Sequence, residues 1–113
     1  MSDCIFCKII NGDIPSQKVY EDELVYAFRD INPVAPVHIL IIPKEHICCA
    51  NELNDGHKEL IGHIILTASK IAKAEGIAED GYRLVNNCGE NAGQTVFHIH
   101  FHLLAGEKFD RMV

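Results

Sequence analysis

The stretch His98-Ile99-His100-Phe101-His102 decides how this chain folds on paper. Histidine at every second position suits an extended strand, where alternate side chains share a face and their backbone attachment points stand about 6.6–6.8 Å apart. Ile99, Phe101 and Leu103 then face the opposite way, toward a core. Imidazole has the unperturbed pKa closest to neutrality, so a row of three can supply a nucleophile, proton donors and hydrogen bonds to an anion together. Cleavage of a phosphate ester or amidate needs that mixture. The outer members of the same face, Val96 and Leu104, are apolar, so the row is not simply a solvated strand, and buried imidazoles require partners. A metal held by alternate strand histidines is the competing use of the row, although the sequence puts no carboxylate beside it.

The histidine strand is expected over Val96–Leu104. Ahead of it runs the polar segment Asn86–Gln94, in which Gly89 through Thr95 offers small residues, backbone amides and the Thr95 hydroxyl for phosphate oxygens. An ordinary glycine-rich connection would look the same. Tyr82–Val85 reads as a strand, and before it Leu60, Ile61, Ile64, Ile65, Ala68, Ile71 and Ala72 form a helical stripe. That helix is expected from about Asn54 or Asp55 to Gly76. Val37–Ile42 is a buried strand ended by Pro43, preceded by the loop that Pro33 and Pro36 force on residues Asn32–Pro36. Val19-Tyr20 and Leu24–Phe28 make a hairpin around Glu21-Asp22-Glu23, with Asp30 closing its second strand. Cys4–Ile10 is a short helix halted at Asn11-Gly12. The sum is one α+β domain over residues 1–113, an antiparallel sheet of about five strands with one long helix and a short N-terminal helix. One sheet face is covered and the other is left for ligand. His57 and His63 are expected to face solvent from the long helix, while His38 is either a satisfied core histidine or a site residue.

The 113 residues are enough to bury a core without disulfides. With 48% hydrophobic and 23% charged residues and no long apolar run, the composition predicts a soluble protein with no membrane span. Met1-Ser2-Asp3-Cys4 carries no secretory signal, which points to the cytoplasm. A net charge of −6 with scattered Lys and Arg argues against a nucleic-acid binder. Five cysteines, an odd number, read as thiols or metal ligands rather than a disulfide framework, with the adjacent Cys48 and Cys49 small and half-buried. Cys4-Ile5-Phe6-Cys7 is a C-x-x-C pair that His46 and His98 can complete into a tetrahedral Cys₂His₂ zinc site; a redox pair, or two small helix residues, are the other readings.

The run His98-Ile99-His100-Phe101-His102-Leu103-Leu104 resembles the signature of the histidine triad family. The likeness extends through Cys4–Ile10, Ala35–Lys44 and Gly93-Gln94-Thr95-Val96-Phe97, nearly the whole chain, and is greatest to the nucleoside phosphoramidase branch. The resemblance implies a homodimeric purine nucleoside 5′-monophosphoramidate hydrolase working through a nucleotidyl-histidine. A dinucleoside polyphosphate hydrolase and a nucleotide sensor with little turnover are the alternatives. By position, His100 matches the nucleophile, and His102 and His38 match residues that hold the phosphate and help protonate the leaving amine. Asn87, Gly93, Gln94 and Thr95 match phosphate or leaving-group contacts, Asp30 the carboxylate for the ribose hydroxyls, and Phe6, Ile9 and Ile31 the walls around the base. Zinc-bearing relatives imply a structural ion on Cys4, Cys7, His46 and His98, with no cofactor needed for the reaction. After Leu104 the chain departs from several close relatives, continuing Ala105–Val113 without a Trp-Pro-Pro tail on the leaving-group side.

Overall fold

The computed structural model describes residues 3–112. Helix α1 (Ile5–Ile10) is followed by strands β1 (Lys18–Glu21), β2 (Val25–Arg29) and β3 (Val37–Pro43), helix α2 (Lys58–Ala74), and strands β4 (Arg83–Val85) and β5 (Phe101–Ala105). Short 3₁₀ turns occupy Ala50–Glu52, Asp55–His57 and Glu90–Ala92. The strands form one antiparallel sheet in the order β1-β2-β3-β5-β4. The α+β architecture expected from the sequence, five strands with one long and one short helix, is the one observed.

The two-residue period of each strand sorts its side chains onto two faces. Val25, Ala27, Ile39, Ile41 and Leu103 pack under α2, against Leu60, Ile64, Ala68 and Ile71 of its apolar stripe. Tyr26, Phe28, Leu40 and Ile42 point to the other face and meet Phe6 and Ile9 of α1. The face opposite α2 is therefore partly roofed by the short helix. Leu40 stands opposite His102 and His38 opposite Leu104, which makes His38 and His102 diagonal neighbours on this same face.

Local chemistry ends the elements where the sequence says it should. Asp22 turns the first hairpin by accepting the amides of Leu24 and Val25 at 2.8 and 3.0 Å. Gly76, at φ +74°, closes α2: its amide reaches the Lys73 carbonyl at 3.2 Å and that of Ile77 reaches Ala72 at 3.0 Å. Arg29 at the end of β2 then grips Glu75 with two bonds of 2.8 and 3.0 Å.

Three expectations are corrected. The histidine strand begins at Phe101, not Val96, because the chain leaves the sheet before that point: the Ile99 amide bonds to the Ile47 carbonyl at 2.6 Å and the His98 ring to Pro43. The long helix starts at Lys58, since residues Asp55–His57 form a separate 3₁₀ turn. His57 and His63 do not simply face solvent. The His57 ring accepts the Asn54 amide at 3.0 Å in a capping box, and His63 Nε2 lies 2.6 Å from Asp22.

Candidate active site

Because residues 96–100 lie outside the strand, the three triad imidazoles do not form a row; they divide between two clusters. His98 turns toward the N-terminal helix, whereas His100 and His102 stay together with ring centres 5.1 Å apart. Each ring's protonation follows from what stands at its nitrogens, since a carbonyl oxygen can only accept and a backbone amide can only donate.

The second cluster reads as a chain of donors. The Val34 amide donates to His38 Nδ1 at 3.1 Å, so the neutral His38 carries its proton on Nε2, which donates to His102 Nδ1 at 2.9 Å. His102 must then hold its own proton on Nε2. His100 is set the opposite way: its Nδ1 donates to the His98 carbonyl at 2.9 Å, leaving the Nε2 lone pair free. Burial foremost, helped by His100 and His38 and opposed by Asp30, pushes His102 down to about 4. Burial likewise lowers His38, against the pull of Asp30. In the free site these two rings are neutral at pH 7.

His100 and His102 open into a cleft of about 330 Å³. Phe6, Ile9, Phe28 and Leu40 make its apolar end, with Asp30, Ile31 and Thr95 at the rim. Ile31, at the rim, is 90% exposed. Phe6 sets its ring edge-on to His100 at 5.1 Å and to Phe28 at 5.6 Å, linking the apolar end to the His100 imidazole. Asp30 Oδ1 accepts the Asn32 amide at 2.8 Å, while Oδ2 sits 3.5 Å from His38 Nε2. That carboxylate, absent from the neighbourhood of the triad in the sequence, arrives from the end of β2.

Not every candidate lines the cleft. His38 supports it from behind as described, and the buried Gln94 is consumed elsewhere. The Gln94 amide donates to the carbonyls of Cys48 and Val96 at 2.8 and 3.1 Å and accepts the Gly89 amide at 2.8 Å. It staples two loops together. Gly93 is exposed beside the Glu90–Ala92 turn, with φ +87°, and Asn87 is half-buried; neither is among the residues that line the cleft. Asn86, which no motif in the sequence marks out, donates from Nδ2 to the His100 carbonyl at 2.9 Å. Its one visible sign was an amide side chain directly after the Tyr82–Val85 strand.

The first cluster gathers Cys4, Cys7, His46 and His98, with one donor atom of each within 4.8 Å of every other. Cys4 Sγ is 3.4 Å from His98 Nδ1, and Cys7 Sγ is 3.4 Å from His46 Nδ1 and 3.6 Å from His98 Nδ1. A tetrahedral ion with bonds of about 2.3 Å to sulfur and about 2.0 Å to nitrogen spaces such ligands about 3.5 Å apart. The donors fit one. His98 Nε2 donates to the Pro43 carbonyl at 2.8 Å, which leaves Nδ1 bare and aimed at the thiols. Burial, then Cys4, raises the Cys7 thiol, and burial lowers His98. A bound cation would displace the thiol protons and relieve that crowding.

A family model described as the HIT domain matches residues 11–109. The purine nucleoside phosphoramidase of Escherichia coli (strain K12) is 53% identical over 109 residues, covering 96% of this chain and 92% of that protein. A 14 kDa zinc-binding protein of Zea mays is 50% identical over 111 residues, covering 96% and 86%. Among solved structures, a HIT family hydrolase from Clostridium thermocellum superposes with a TM-score of 0.97 at 52% identity, over 100% of this chain and 98% of its own.

Proposed function

This chain belongs to the HIT family, and from that membership we propose that it hydrolyses purine nucleoside 5′-monophosphoramidates through a nucleotidyl group carried on His100. The carrying observation is the fixed tautomer of His100. A ring whose Nδ1 proton is committed to the His98 carbonyl presents an unprotonated Nε2 to the cleft. Phe6 and Ile9 of the apolar end, with Ile31 at the rim, would hold the base, and Asp30 the ribose hydroxyls. Thr95, which lines the cleft, would meet the phosphate oxygens, with Gln94 acting through the loops it joins; Asn87 and Gly93 stand outside the lining residues.

In the first step His100 Nε2 attacks the α-phosphorus, and the P–N bond to the leaving amine breaks. The leaving nitrogen, protonated in the zwitterionic form of the phosphoramidate, departs as the neutral amine, while the neutral His102 donates its Nε2–H to a phosphoryl oxygen and stabilises the charge there. Water then attacks phosphorus, the P–Nε2 bond breaks and returns His100 to its neutral Nδ1–H form, the water's proton passes to solvent, and the nucleoside monophosphate leaves. Through both steps the hydrogen bond from His38 Nε2 to His102 Nδ1 keeps the His102 proton on Nε2, facing the phosphate.

For the Cys4, Cys7, His46, His98 set, zinc is the proposed ion, in a structural role; when bound it supplies a closed tetrahedral clamp between α1 and the segment before β5. A second reading rests on Asp30, His38 and His102, whose donor atoms also lie within 4.8 Å of one another. An ion there would assist hydrolysis directly. Against it, His38 and His102 are already joined by a 2.9 Å hydrogen bond. Immediate loss of turnover on chelation would favour that reading, while unchanged initial rates favour the histidine nucleophile.

The deciding experiment is a mass spectrum of protein quenched during turnover of adenosine 5′-phosphoramidate, together with the His100→Ala variant. We expect an adenylyl adduct on the peptide bearing His100, and a variant that binds AMP without turnover. Normal turnover by His100→Ala overturns the assignment.

A further inference from the structure

The geometry points to Asn86 as a positioning residue for His100, acting on the backbone of the reactive histidine rather than on its ring; the inference rests on the reading of His100 as nucleophile. The β4–β5 ladder runs through the pairs Arg83 with Leu104, Leu84 with Leu103 and Val85 with His102, and there it stops. Continued, the register would bring Asn87 opposite His100 and supply that residue with backbone partners. It does not continue, because β5 begins only at Phe101 and β4 ends at Val85. The His100 carbonyl is thereby stripped of its ladder bond at the edge where the chain leaves the sheet. Asn86, the first residue past β4, fills the gap with its side chain: Nδ2 donates to that carbonyl at 2.9 Å.

The consequence is a residue gripped at two points. The ring is tied to the His98 carbonyl, and the main chain is tied to Asn86. The ring tie sets which nitrogen is free, whereas the main-chain tie sets where that nitrogen sits, since His100 lies just before the strand that would otherwise hold it. An in-line attack at phosphorus is sensitive to displacements of an ångström or less, so a loosened backbone costs rate rather than nucleotide affinity. Asn86 is half-buried and is not among the residues that line the cleft. It can therefore act only through His100, and its removal leaves the base and ribose contacts intact.

Steady-state hydrolysis of adenosine 5′-phosphoramidate, AMP affinity and thermal melting would be compared for the unmodified chain, Asn86→Ala, Asn86→Asp and Asn86→Gln. Loss of one hydrogen bond at a reacting group predicts a kcat about tenfold lower in Asn86→Ala, with KM and AMP affinity within about twofold. Asn86→Asp, of nearly the same shape but with an acceptor facing the carbonyl, should lose more. Asn86→Gln, which keeps the amide donor, should recover part of the loss. A kcat unchanged in both Asn86→Ala and Asn86→Asp overturns the inference, as does a parallel fall of kcat, AMP affinity and melting temperature, or failure of both variants to fold. An active unmodified enzyme with unaffected variants overturns Asn86 alone; an inactive unmodified chain overturns the functional reading and this inference with it.

Discussion

Among single residues, His102 shows how far burial moves a side chain from its solution behaviour. Its folded value of about 4 stands well under the 6.5 of an unperturbed histidine. Between those two values the unfolded chain binds the extra proton and the folded one does not, so stability rises with pH across the window and is lost as pH falls from about 6.5 toward 4. Denaturant unfolding at pH 7 and pH 5 should therefore show a smaller loss of stability in His102→Asn than in the unmodified protein. Equal losses would mean that His102 is not the group responsible. The sequence announced this ring through its alternate spacing, but not its tautomer. That depends on His38 and, one step back, on the Val34 amide, in a loop 68 residues away in the chain. Gln94 was legible as a polar residue before the triad, yet its amide is spent on the carbonyls of Cys48 and Val96, partners that no local pattern discloses.

Among the elements, α1 is the least able to stand alone. Its six residues fall well short of the length at which an isolated helix holds in water. It persists through Phe6 and Ile9, packed on the sheet, and through the Cys4 and Cys7 donors that face His46 and His98. Cys4→Ser combined with Cys7→Ser should accordingly abolish the bound metal and lower the melting temperature by at least about 4–8 °C, the equivalent of about 1 kcal/mol for a small domain. Because Phe6 rides on the same helix, KM should rise more than kcat falls. Full metal content in the double variant would sink the proposed site. The hairpin, β3 and α2 were readable from turn chemistry and periodicity, and their bounds moved by only a few residues. The N-terminal half of the histidine segment is not strand, because alternation describes which way side chains would point on a strand, not whether neighbouring segments are present to make one. The chain departs toward Ile47 at that point, so the ladder has nothing to continue on.

For the molecule as a whole, the unresolved demand is on α2, where Leu66 is 65% and Ile65 43% exposed on the side away from the sheet. A second copy covering that face is the arrangement that the family resemblance implies, and it gives these residues the burial their chemistry favours. Light scattering should find a dimer, and Leu66→Glu should shift the population toward monomer by placing a charge in the contact. A monomeric unmodified protein would remove the proposal. No helix of the described residues is long and apolar enough to cross a membrane.

The sequence alone determined the class of fold, the short helix that carries the C-x-x-C pair, and the alternate spacing of the three histidines. Each of these is written in short-range pattern: the period of two in a strand, the helical stripe, the fixed spacing of ligands. Tertiary structure decided which triad ring serves which cluster, brought Asp30 to within 3.5 Å of His38, and placed Asn86 on the carbonyl of His100. Those outcomes depend on where strands stop pairing and which segments then meet, a property of backbone partners far apart in the chain, to which local spacing is blind.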